Sequence, residues 1–184
     1  MAPVKSNLSS FTNVWFNPGA GLLKRSAWYL VSALFFSSKF PINFIKIFLL
    51  KIFGATLGTG AVIKPGVQIK FPWKLRLGNH VWIGENVWID NLEQVTLGSN
   101  VCVSQDALLV TGSHDYSKSS FDLLTKPIII EDGAWVAARA IVTGGVTAGN
   151  HSVLLTSSVA SANLEPYGVY RGNPAVKIRT RQME

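Results

Sequence analysis

Imidazole is the side chain that titrates around neutral pH, so His80, His114 and His151 are the first candidates for acid–base chemistry. His80 and His151 fall in phase with a repeating pattern, at places where the chain turns towards solvent. His114 falls out of phase. It sits in Thr-Gly-Ser-His-Asp at 111–115, at the head of a polar stretch that ends at Pro127. A base held there would take the proton of a substrate hydroxyl. The bland alternative is a loop histidine bonded locally. The single cysteine, Cys102, lies inside a repeat and reads as filler or a surface thiol rather than a nucleophile. One cysteine also rules out an internal disulfide and fits a reducing compartment.

The pattern that His114 breaks has a period of six. Ile130, Val136, Val142, Ala148, Leu154, Ala160 and Pro166 follow one another at that spacing, and six of these seven are aliphatic. A second column, Ala134, Ala140, Val146, Ser152 and Ser158, is small or β-branched throughout. Six is neither the helical 3.6 nor the spacing of a strand meander. It is the hexapeptide signature of a parallel β-helix, three short strands and three corners to a coil of about 18 residues. Gly133, Arg139, Gly145, His151, Ser157 and Asn163, with Gly60, Gly66, Asn86, Asn100 and Gly112 earlier, mark the corners, where Gly and Asn tolerate positive φ.

The frame opens with Leu57, Ile63, Ile69 and Leu75, slips by two to Leu77, Ile83 and Ile89, and resumes at Leu97, Val103 and Leu109. From Leu109 to Ile130 it fails altogether. Residues 112–127 are too polar for a core and too long for a corner, so they read as an ejected loop. The expected organisation is an N-terminal loop with amphipathic, hydrophobic helices over 1–56, the β-helix over 57–171 with its loop at 112–127, and a basic tail over 172–184.

Composition sets the outer limits. A hydrophobic content of 48% with 15% charged residues indicates a globular chain rather than a disordered one. The net charge of +7 is uneven: residues 1–84 hold ten Lys/Arg and no Asp or Glu, whereas residues 85–184 hold seven and ten. The basic half suits an anionic partner such as phosphate or lipid headgroups, or serves solubility. No recognised nucleic-acid-binding motif accompanies it, so nucleic acid is not expected.

The first ten residues lack the apolar core of a signal peptide. Helices are expected over 21–38 and 42–53, separated by Pro41 and closed by Gly54. The longest uncharged run, Ser26 to Ser38, is too short to span a bilayer. The two helices cap the open end of the solenoid, lie in an anionic membrane interface with Trp28, Tyr29, Phe35, Phe36, Phe44 and Phe48 inserted, or do both. The location that follows is cytoplasmic, with peripheral contact on the inner membrane face.

Thr-Gly-Ser-His-Asp, the loop after it, Lys-Pro-Ile at 126–128, Phe-Pro-Trp-Lys-Leu at 71–75 and Gly-Asn-Pro-Ala at 172–175 resemble the hexapeptide-repeat O-acetyltransferases. The likeness is strongest to those of colanic-acid and other exopolysaccharide clusters, and extends to the galactoside and maltose enzymes. It covers the whole chain. It implies an all-β fold, a left-handed parallel β-helix with an N-terminal helical segment, built as a homotrimer. It further implies acetyl-CoA as co-substrate and a carbohydrate acceptor, free, nucleotide-linked or lipid-linked. His114 would be the general base.

The resemblance also assigns contacts. Asp90, in Trp-Ile-Asp-Asn at 88–91, falls at a polar acceptor-binding position, with Asn91 beside it; a surface turn is the other reading of Asp90. Coenzyme A positions map to Ala138, Thr156, Ser161, Ala162 and Arg179, with Lys177 and Arg181 supplying charge for the phosphates. Trp82, Trp88 and Trp135 share one outward place in the repeat. They suggest a flank for a subunit interface, or adenine stacking at Trp135. One carbonic anhydrase family uses the same solenoid, but it needs two histidines close together. Here the three are 34 and 37 residues apart, so no metal is expected. The reading from another class is a trimeric β-helix without catalysis, acting as a scaffold or membrane-associated binding protein.

Overall fold

The structure, a computed structural model, describes residues 5–184. The expected loop at the start of the chain falls partly on residues 1–4, outside the described residues.

Two-residue and three-residue strands repeat three to a coil and stack into three parallel faces. The first face holds Thr56–Leu57, Leu75–Leu77, Val95–Leu97, Ile128–Ile130 and Thr147–Ala148. The second holds Val62–Ile63, Trp82–Ile83, Cys102–Val103, Trp135–Val136, Val153–Leu154 and Gly168–Gly172. The third holds Gln68–Ile69, Trp88–Asp90, Leu108–Val110, Ile141–Thr143 and Val159–Ala160. The fold is the left-handed β-helix expected from the repeat and the family resemblance.

Both inward columns are sealed. Ile130, Val136, Val142, Ala148, Leu154 and Ala160 are buried, as are Ala134, Ala140, Val146, Ser152 and Ser158. Each fully buried Ile, Val or Leu contributes about 2 kcal/mol of hydrophobic stabilisation, so the stacked columns are the main cohesive force. Pro166 is exposed, and Leu164 takes the inward place by bridging Ala148. The last coil is therefore shorter than its predecessors.

The two-residue slips have a physical cause. Leu75 and Leu77 both point inward, as do Val95 and Leu97, and Ile128 and Ile130. The lower coils carry an extra inward residue on the first face, so Val62 pairs with Trp82 and Trp82 with Cys102, 20 residues apart rather than 18. The corners are as expected at Gly60, Gly66, His80, Asn86, Asn100, Gly133, Arg139, Gly145, His151 and Ser157, all at positive φ; Asp106 joins them. Asn163 and Gly112 do not adopt it, because the coil shortens at one and the loop leaves at the other.

A helix α1 (Leu22–Val31), continued by a wider π-type turn over Ser32–Phe36, and a helix α2 (Asn43–Ile52) close the first coil. Trp28, Phe36 and Leu50 plug its open end. Polar side chains satisfy the unpaired strand edges: Trp28 Nε1 donates to Ile69 O at 2.8 Å, and Asn43 Nδ2 to Ala61 O at 2.9 Å. The Lys46 ammonium donates to Ile63 O and Lys64 O. The exposed edge that would invite strand addition is thereby blunted. Trp28 and Phe36 follow the capping reading and are core residues, not membrane-facing ones, because they sit on the inner side of the helical segment.

The other end is closed by residues of the expected basic tail. Ala175–Thr180 runs antiparallel to Gly168–Gly172, with Gly-Asn-Pro-Ala making the turn. Arg181 then donates to the carbonyls of Gly133 and His151, at 3.2 Å each.

Candidate active site

The ejected loop is an antiparallel hairpin of Gly112–His114 with Leu123–Thr125. It leaves the corner between the third and first faces. Its root is bolted to the coil below: Thr111 N and Oγ1 both donate to Asp90 O, at 3.2 and 2.9 Å, and Glu93 N donates to Thr111 Oγ1. The coil above approaches closely enough to demand glycine, since a Cβ on Gly144 would lie 2.7 Å from Thr111 O.

His114 is half-buried at the end of the first hairpin strand. Its Nδ1 lies 2.8 Å from Phe121 O, and its ring stacks on the Phe121 ring at 4.4 Å and 9°. A carbonyl oxygen can only accept, so Nδ1 carries the proton and neutral His114 presents its lone pair at Nε2. Phe121 turns back through a φ of 53° to bring its carbonyl there. Phe11 approaches the same imidazole from the N-terminal segment, 5.8 Å between ring centres.

The hairpin tip fastens itself. Ser117 donates to the Asp115 carboxylate and so lowers its pKa. Asp122 is held low first by Ser120 and then by the Lys118 ammonium 2.9 Å away, which is itself raised. Both carboxylates therefore stay ionised through the neutral range, and the clasp weakens only as pH falls through their lowered values.

Asp90 lies directly under the hairpin root, where its carbonyl is the anchor. Its carboxylate faces the Lys70 ammonium at 2.8 Å. Oδ1 is sealed from solvent and accepts no aligned hydrogen bond, so the contact is an ion pair. Beside it opens a groove of about 930 Å³ between α1 and the third face, lined by Arg25, Ser26, Tyr29, Gln68 and Trp88 among others. Arg25 has no acidic partner among the described residues. Lys70 is invisible to a six-residue reading, yet a 20-residue coil places it beneath Asp90.

Asn91 is a correction. It is fully buried, its Oδ1 accepts from Phe71 N, and its Nδ2 donates to Phe71 O and Lys74 O. With every polar valence used on backbone, it fastens the wide lower corner and faces no acceptor.

The residues expected at coenzyme A divide between places. Ala138 and Thr156 lie one coil apart at the corner of the second and third faces, where Ser157 N donates to Ala138 O. Trp135 stands outward on the second face, its Nε1 donating to Ser104 Oγ at 2.9 Å. Lys177 and Arg179 lie on the closing strand of that face. Lys177 is paired with Glu165 at 2.6 Å, which raises its pKa, whereas Arg179 has no acidic partner among the described residues. Ser161 and Ala162 sit apart from these, exposed at the corner of the third and first faces. The three tryptophans also divide: Trp82 and Trp135 share the second face, but Trp88 is on the third, because six residues advance the chain by one face. An exposed edge bearing the Arg179 guanidinium suits an elongated anionic ligand.

No protein-family model matches the chain. It is 38% identical over 164 residues to WcaF of Escherichia coli (strain K12), named as a colanic acid biosynthesis acetyltransferase, covering 89% of this chain and 90% of that one. The hexapeptide-repeat containing acetyltransferase VCA0836 of Vibrio cholerae O1 biovar eltor, solved with acetyl coenzyme A, superposes with a TM-score of 0.78 at 25% identity, covering 88% of each chain. The chain belongs to the hexapeptide-repeat acetyltransferases. A third relative is the galactoside O-acetyltransferase of Escherichia coli (strain K12), 28% identical over 71% of this chain and 66% of that one. In this acetyltransferase, then, the hairpin histidine and the cationic edge lie on different sides of the solenoid.

Proposed function

We propose that the chain transfers an acetyl group from acetyl-CoA to a hydroxyl of a sugar acceptor in surface-glycan biosynthesis, with His114 as general base. The observation that carries this reading is the bond between His114 Nδ1 and Phe121 O, which leaves Nε2 free to accept a proton. Acetyl-CoA supplies the acetyl group as a thioester. Nε2 takes the acceptor's hydroxyl proton as that oxygen attacks the thioester carbonyl. The resulting imidazolium is stabilised because a charged N–H makes a stronger bond to Phe121 O. As the tetrahedral adduct collapses, the proton passes from Nε2 to the departing sulfur, leaving the acetyl ester and coenzyme A.

A sugar acceptor is supported by the groove beside Asp90, where Trp88 and Tyr29 offer flat apolar surface among polar side chains. The names of the relatives point to the same substrate class. Arg179 and the exposed backbone at Ala138 and Thr156 are the proposed coenzyme A contacts, with Trp135, Ser161, Ala162 and Lys177 at the margins. Since Ala138, Thr156 and Arg179 sit away from the corner that bears His114, two copies packed side by side are needed to complete one site. A homotrimer satisfies that by symmetry.

The test is acceptor screening with purified protein and acetyl-CoA, followed by release of free thiol. Turnover with a hexose or glycan acceptor that is lost in His114→Ala supports the reading. Turnover confined to amine acceptors would overturn the hydroxyl assignment.

A further inference from the structure

The helical cap has more apolar surface than capping requires. Its inner side is complete: Trp28, Phe36 and Leu50 are at most 3% exposed, and Lys46 is buried among carbonyls. Its outer side carries two stripes at helical spacing. Leu23, Leu30 and Leu34 are 87, 63 and 66% exposed along α1 and its continuation; Phe44, Phe48 and Ile52 are 73, 62 and 58% exposed along α2. Positions i, i+4 and i+8 share one face of a helix, so the second stripe is continuous. Burial by the fold does not account for it.

Charge identifies what does. Arg25, Lys39 and Lys51 flank the stripes, and no Asp or Glu occurs anywhere in residues 1–84. Among the described residues no helix is long and apolar enough to cross a membrane. Aromatic and aliphatic stripes with a cationic, carboxylate-free border match an element that lies in a bilayer interface.

We propose that α1 and α2 are a docking surface for an anionic lipid bilayer, with both stripes entering the headgroup–acyl boundary and Lys39 and Lys51 at headgroup level. This goes beyond the acyl-transfer reading and does not depend on it. The buried anchors fix the stripes to a rigid solenoid, so docking orients the whole body and needs no ordering of the helices.

Flotation of the full chain with vesicles tests it. Vesicles of phosphatidylcholine containing roughly a third phosphatidylglycerol should carry the protein, with binding that weakens as salt is raised. Pure phosphatidylcholine should carry little. Phe44→Ser with Phe48→Ser should reduce partitioning at least about tenfold, since each buried phenyl ring contributes strongly. Lys39→Gln with Lys51→Gln should weaken binding mainly at low salt and leaves the apolar stripe intact. All four side chains are outside the proposed site, so turnover on a soluble acceptor should be unchanged. Absence of flotation, or flotation indifferent to lipid charge and to both variants, would overturn the proposal. So would a wild-type oligomer that dissociates when the phenylalanines are replaced, because the stripes would then be covered by a second copy.

Discussion

At Nε2 of His114 chemistry and packing come apart, and substitution can separate them. His114→Ala should lower kcat and kcat/KM together by roughly 10²–10⁴-fold, the worth of a positioned base, while coenzyme A binding persists. Its residual activity should also lose the acid-side fall that protonation of an imidazole base imposes. Retention of more than about a tenth of activity, less than the smallest such loss, would assign the base elsewhere. Asp90→Ala should instead raise the acceptor KM more than it lowers kcat, since the hairpin hangs on its carbonyl rather than its carboxylate. Asn91→Ala leaves Phe71 N and Lys74 O without their partner, while Phe71 O keeps its bond from Lys74 N, and should cost about 2 kcal/mol or more in urea unfolding, with acceptor KM little changed in the protein that folds. His114 stands out in the sequence as a candidate because it leaves a regular lattice. Asn91 gives no sign of its burial in the sequence because it follows Asp90 by one residue, just past a strand end, where inward and outward no longer alternate. Phe121, which sets the histidine's tautomer, carries no sequence signal; only the hairpin's closure brings its carbonyl to the ring.

Elements show the same division. The coils were readable because three equivalent faces repeat one inward column, and the slips in frame were visible without their cause, the extra inward residue on the first face. The terminal strand has no signal in the sequence, since a short basic segment gives no hint of antiparallel pairing. The helices were found, but not which side of each faces in. That side is reported by Lys46, whose burial holds its ammonium below the ordinary lysine value. In the window just below that ordinary value, the unfolded chain binds more protons than the folded one, so stability should rise with pH there. Comparing urea midpoints with Lys46→Met, which has no group to titrate, should show the wild type gaining on the variant through that window. A constant difference would place the ammonium in solvent.

For the whole molecule the decisive arrangement is the separation of His114 from the cationic edge. Sedimentation should show a trimer at micromolar concentration. Coexpressing a His114→Ala chain with an Arg179→Glu chain should recover activity that neither has alone, with roughly a quarter of interfaces complete under random assortment into symmetric rings. No recovery would mean that each copy holds its own site. In the sequence the expected trimer rests on resemblance alone, because six-residue periodicity describes one copy and not what packs against it. The ejected hairpin has a further consequence. Trp135 pairs in register with Cys102 below and Val153 above, although 33 residues separate it from the former. The stack closes as though residues 112–127 were not there. Lengthening such an excursion carries only a slowly growing closure cost, about 0.6 kcal/mol per doubling. The hairpin is thus an exchangeable cassette, and grafting one from a relative with another acceptor should alter selectivity while leaving the thermal midpoint of the solenoid nearly unmoved.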